Sequence, residues 1–193
     1  MAGFHQLWRL DLESGRVQPH AGSGRERIED GPLDKAALAQ PSGIATDGAQ
    51  LYFTDSETSA VRSADLLGDG EVKTIVGTGL FTFGDEDGTG DDVRLQHPVG
   101  IDIADGGLYV ADTYNNKVKR VSPATRGAAH LVGSGQPGHR DGPPDVAMFN
   151  EPGGISVSDG KLYVADTNNH AVRGTSLDTL ETQTLEVRGI KSV

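Results

Sequence analysis

Leu51-Tyr52-Phe53-Thr54-Asp55 reads as a short strand closed by an aspartate, and the phrase returns as Leu108-Tyr109-Val110-Ala111-Asp112 and Leu162-Tyr163-Val164-Ala165-Asp166. The offsets are 57 and 54 residues. Pro41, Pro98 and Pro152 keep the same spacing, each followed two residues later by Gly43, Gly100 or Gly154. Upstream, Asp30-Gly31, Asp87-Gly88 and Asp141-Gly142 stay in step, and Gly22-Ser23-Gly24, Gly77-Thr78-Gly79 and Gly133-Ser134-Gly135 mark the starts of the units. Self-similarity at such a period determines the architecture before any single element is assigned.

Each unit predicts four short strands. Strand a alternates after the proline, as in Val99-Gly100-Ile101-Asp102-Ile103, and a turn such as Ser158-Asp159-Gly160-Lys161 leads into strand b. Strand c is typified by Ala171-Val172-Arg173, and strand d by Val72-Lys73-Thr74-Ile75-Val76. Four strands in about 55 residues is the size of a propeller blade, so the fold class is an all-β propeller. His5 to Leu12 overlays Ser59 to Leu66, which makes residues 1–22 the outer half of a blade, its c and d strands. Blades follow at 23–77, 78–133 and 134–193, the last with a C-terminal extension.

The units running from Pro98 through Asp112-Thr113-Tyr114-Asn115-Asn116-Lys117-Val118-Lys119, and from Pro152 through Asp166-Thr167-Asn168-Asn169-His170-Ala171-Val172-Arg173, resemble NHL repeats. The loops Leu80-Phe81-Thr82-Phe83-Gly84-Asp85 and Arg94-Leu95-Gln96-His97-Pro98 are similar to the C-terminal blades of bacterial proteins of the NHL repeat-containing protein 2 type. That resemblance implies a six-bladed parent ring preceded by a thioredoxin-like domain. The sequence as read lacks that domain and the first blades, and with no cysteine it has no Cys-x-x-Cys to support a redox role.

Composition narrows the function. The 27 glycines and 9 prolines suit many tight turns. A net charge of -11 opposes binding to phosphate backbones or anionic membranes. No stretch approaches the ~20 apolar residues of a membrane span, and the start lacks the pattern of an export signal. Absence of cysteine excludes thiolate chemistry and fits the cytoplasm.

The chemistry-bearing residues repeat, which argues for structure. Asp55, Asp112 and Asp166 occur once per blade and are expected to hold turns or backbone amides. The Gly-x-Gly segments open no helix and continue into no Gly-Lys-Ser/Thr, so they are turns, not phosphate loops. The acidic run Asp85-Glu86-Asp87-Gly88-Thr89-Gly90-Asp91-Asp92 reads as a solvated loop without EF-hand order, and Asp85, Asp87, Asp91 and Asp92 form the one weak Ca²⁺ candidate. Of the histidines only His97 lies beside an inner strand, and one imidazole does not make a catalytic zinc site. Binding specificity in repeats is carried by what varies between copies. Here that is Gln40, His97 or Glu151 before the strand a proline, and Tyr114, Asn115, Asn116, Asn168, Asn169 and His170 in the loops between strands b and c.

The favoured reading is a non-catalytic binding or scaffolding module for a protein or small ligand, with no cofactor. The alternatives are a metal-dependent propeller lyase or lactone hydrolase, implied by resemblance, and an incomplete fragment without activity of its own. Three and a half blades would leave two open faces, which predicts that a second copy or upstream blades complete the ring. Elemental analysis of the purified protein is expected to find no stoichiometric transition metal, with weak Ca²⁺ at residues 85–92 as the sole exception.

Overall fold

A computed structural model describes residues 5–187; residues 1–4 of the first unit and 188–193 of the last lie outside the described residues. β1 (Leu7–Leu10) and β2 (Val17–Ala21) form an antiparallel hairpin. A five-stranded sheet follows, built from β3 (Gly31–Pro32), β4 (Pro41–Thr46), β5 (Gln50–Asp55), β6 (Ala60–Asp65) and β7 (Glu71–Val76) in the order β3-β7-β6-β5-β4. The next repeats it with β8 (Gly88–Thr89), β9 (Ile101–Ala104), β10 (Gly107–Asp112), β11 (Lys117–Ser122) and β12 (Gly127–Val132). The last holds β13 (Pro152–Ser158), β14 (Lys161–Asp166), β15 (Ala171–Ser176) and β16 (Thr182–Thr184) in sequential order. The chain is a β-propeller array of consecutive antiparallel sheets.

One feature differs from the four-stranded expectation. The Asp-Gly segments join the sheets: β3 and β8 pair outside strand d, and Gly142 makes the matching bridge to Thr182. The aspartate before each glycine explains the pairing, because Asp30 accepts hydrogen bonds from the amide and hydroxyl of Thr74 at 2.8 and 2.7 Å.

The core lies between blades, not within them. Tyr52, Val61 and Val76 of one sheet pack with Leu95, Leu108 and Val110 of the next, and Tyr109, Val118 and Val132 meet Phe149, Leu162 and Val164 in the same way. The hairpin docks likewise through Leu7 and Ala21 on Leu38 and Phe53. Polar seams run beside this core. Ser56 Oγ donates to the Pro98 carbonyl at 2.6 Å, and Thr113 Oγ1 to that of Pro152 at 2.9 Å. Inner strands β4, β9 and β13 lie side by side.

That inner packing explains the glycine two residues after each proline. A Cβ on Gly43 would stand 2.4 Å from the Val99 carbonyl oxygen, and one on Gly100 would stand 2.1 Å from that of Gly153. At Gly154 the nearest atom is Ala165 Cβ at 3.6 Å, since no further sheet follows within the described residues. The same contrast marks the side chains, for Val61 and Val118 are fully buried while their equivalent Val172 is 36% exposed. We expect Gly43→Ala and Gly100→Ala each to cost about 2 kcal/mol or more, as overpacking against a rigid backbone does. Gly154→Ala, followed alongside by chemical denaturation, should cost under about 1 kcal/mol.

Candidate functional site

Strand b ends in a carboxylate with no solvent exposure, and that group organises the mouth of the blade. Asp55 accepts from the amides of Ala39 and Gln40 at 2.9 and 2.7 Å, so it holds the loop that enters strand a. Arg62, seven residues on and fully buried, donates Nη1 to Asp55 at 2.9 Å and to the Ala37 carbonyl at 2.8 Å. Its Nη2 reaches the Glu29 carbonyl and Asp30, both at 3.0 Å. Arg173 repeats every contact in the last sheet, to Asp166, Met148, Arg140 and Asp141 at 2.7 to 2.8 Å. A buried guanidinium is stable there because both ends of its fork meet a carboxylate and a carbonyl. The repeated aspartates thus hold backbone amides, as their once-per-blade recurrence suggests.

The middle blade breaks the pattern. Lys119 stands where the arginines stand, and its ammonium goes to Asp85 at 2.7 Å and Asp87 at 2.8 Å instead of Asp112. Lys117 pairs with Asp85 as well. Burial opposes ionisation of Asp85 and Asp87, yet these lysines, with the His130 amide on Asp87, hold both below the usual carboxylate range. Asp112 keeps only the Gln96 amide at 2.7 Å and Asn115 Nδ2 at 2.7 Å. Burial pushes its carboxyl up to about 7 against those two bonds and the Lys119 charge.

Gln96 lines a cleft of about 480 Å³ on the loop-rich face. His97 and Tyr114 form one wall, their rings stacked at 4.6 Å with 10° between planes. Leu80, Phe81 and Phe83 form another, and Ser56, Ser59, Glu26 and Glu57 complete the lining with Gln96. Phe81 is 90% exposed and Phe83 58%, in a loop whose Phe81 backbone has φ +67°. A bulky residue in the left-handed region with its ring in water is costly twice, and such positions concentrate at functional sites.

The NHL repeat profile matches residues 95–120 and 149–174, the stretches around β10–β11 and β14–β15. This chain carries NHL repeats. It is homologous to NHL repeat-containing protein 2 of Bos taurus, 43% identical over 205 residues that cover 93% of this chain and 28% of that protein. Protein SUPPRESSOR OF QUENCHING 1, chloroplastic, of Arabidopsis thaliana is 39% identical over 204 residues, covering 99% of this chain and 19% of that protein. The chain therefore spans less than a third of the length of these relatives. Among solved structures, an auxiliary nutrient binding protein from Bacteroides ovatus superposes with a TM-score of 0.71 at 17% identity, over 95% of this chain and 44% of that one. At that identity the likeness is one of fold.

Within these NHL blades the variable residues separate. His97 and Tyr114 come together in the cleft. Asn115 and Asn169 turn inward, each bridging its blade's aspartate to a carbonyl, Gly84 or Gly138, at 2.6 to 2.8 Å. Asn116 Oδ1 accepts the Glu151 amide of the next blade at 3.0 Å. The Gln40 carbonyl accepts the Ser56 amide at 3.0 Å, while Glu151, Asn168 and His170 are exposed away from the cleft. In the acidic run, Asp85 and Asp87 face lysines, Asp91 pairs with Arg126 at 2.8 Å, and Asp92 lies in a short 3-10 turn with Gly90. Among the described residues no three His, Asp or Glu gather as a metal site.

Two sets of residues escaped the sequence reading although both left a trace in it. The cations Arg62, Lys119 and Arg173 follow each strand b aspartate by seven residues. Phe81 and Phe83 concentrate in one loop two of only 5 phenylalanines.

The lysine exception yields a pH dependence. A carboxyl whose folded value is about 7, above an unfolded value of about 3.9, favours folding most at low pH, and that advantage is lost as pH rises from about 4 through about 7. Lys119→Arg restores the fork that serves Asp55 and Asp166 and should remove most of this loss. Denaturation at pH 5 and pH 8 should show the variant gaining on the parent by about 2 kcal/mol over that interval, and equal slopes would contradict the assignment.

Proposed function

We propose that this NHL propeller is a non-catalytic recognition module whose binding surface is the cleft between the Phe81 loop and the His97–Tyr114 pair. The observation that carries the reading is the stacked pair facing a nearly fully exposed phenylalanine across a cavity of about 480 Å³. Exposed aromatic rings held by rigid backbone give large contact area for little conformational entropy, which is the composition of interface anchors. The loop is anchored by the Gly84 amide on the Leu95 carbonyl at 3.0 Å and by Asn115 Nδ2 on the Gly84 carbonyl at 2.6 Å. The loop after β7, the segment entering β9 and the 3-10 turn Thr113–Asn115 thus present the rings.

A protein or small-molecule ligand at this cleft is consistent with an acidic chain of net charge -11, which disfavours nucleic acid and anionic lipid. Among the described residues no helix is long and apolar enough to cross a membrane. The cytoplasm is the compartment that the cysteine-free sequence favours.

A fragment library screened by amide shifts is expected to perturb residues 80–84, 96, 97 and 114. Phe81→Ala and Tyr114→Ala should each weaken those hits at least tenfold, since both rings are half or more exposed and their removal leaves the core intact. Hits confined to the opposite loops, near Asp105 and Asp159, would reject the reading.

A further inference from the structure

Several carboxylates of this protein are paired with cations within it. In the acidic run, Asp85 and Asp87 pair with Lys119 and Asp91 pairs with Arg126. Asp30 and Asp141 are spent on Arg62 and Arg173. Glu26 and Glu57 are different. Both are exposed, both line the aromatic cleft, and neither enters an ion pair among the described residues. Among the described residues no Lys or Arg lines that cleft.

We infer that the cleft receives a basic side chain, Lys or Arg, carried by a protein partner. This deepens the proposed function and rests on it. Aromatic faces carry a negative quadrupole, and a cation within about 6 Å of a ring centroid is held more strongly as water is displaced. Phe81, Phe83 and Tyr114 supply the rings, and Glu26 and Glu57 supply negative charge. The molecule already uses this pairing internally, with the Arg173 guanidinium 5.2 Å from the Phe149 centroid and that of Arg62 6.0 Å from Phe53. Each of those arginines also has a carboxylate on its fork, the same combination that the cleft offers to an incoming residue. An anionic ligand would meet two uncompensated carboxylates there. A neutral ligand such as a sugar would use the rings and leave the carboxylates without a role.

The test uses the whole chain and three probes, the capped amides of arginine, glutamate and leucine, followed by amide shifts at residues 80–84, 97 and 114. The arginine amide should give saturable shifts in the millimolar range, and Glu26→Gln with Glu57→Gln should weaken them at least threefold. Phe81→Ala should weaken them at least tenfold. Raising salt from low to about 0.5 M should weaken the arginine response, because partly exposed charges are screened. An equal response to the leucine or glutamate amide overturns the cationic assignment and leaves the cleft as a recognition site. Silence of the cleft to every probe overturns both.

Discussion

A buried carboxylate at the end of strand b is the constraint on which the rest of the molecule depends. Asp55 and Asp166 each tie their own strand to the loop that enters strand a, and through a buried arginine to the outermost Asp-Gly pair. One ion network therefore spans a blade from its inner edge to its outer edge. Such a network costs heavily to desolvate, and it is tolerated because almost every polar atom in it has a partner. Removing either member would leave a bare charge in a dry interior.

The network also explains why the blades need each other. Its polar atoms satisfy the mouth of a blade, but the apolar faces are closed only by the neighbouring sheet, through Val61 and Val118 on one side and Leu95 and Phe149 on the other. Stacking repeats of this kind derive stability from nearest-neighbour interfaces. The hydroxyls of Ser56 and Thr113 stitch the same interfaces at the channel edge, where backbone groups would otherwise lie unpaired.

The frame is varied in one blade. In the middle blade the arginine is replaced by Lys119, two extra charges are brought in by Asp85 and Lys117, and Asp112 is left with backbone and amide partners alone. The same blade carries the Phe81 loop and the stacked His97 and Tyr114. Departure from the repeat in the supporting shell and departure at the surface thus coincide. A frame copied along the chain lets one copy change without loss of the others.

The sequence by itself determined the four strands a to d of each unit, the repeat spacing and the presence of propeller blades, because these rest on local turns and on periodicity that a copied unit displays several times. It pointed to the buried aspartates as structural for the same reason, and it showed the Asp-Gly pairs repeating in step with them. Only the tertiary structure decided that those pairs form an added outer strand, since the partner Thr74 lies 44 residues away from Asp30. Only it separated Tyr114, which reaches the cleft, from its neighbour Asn115, which turns inward to Asp112. Adjacent positions of a short turn point in opposite directions, and which one meets solvent is set by backbone angles that no pattern of residue types reveals. The cleft itself joins residues from two blades and a long loop, so its existence depends on how sheets stack and not on any stretch of chain.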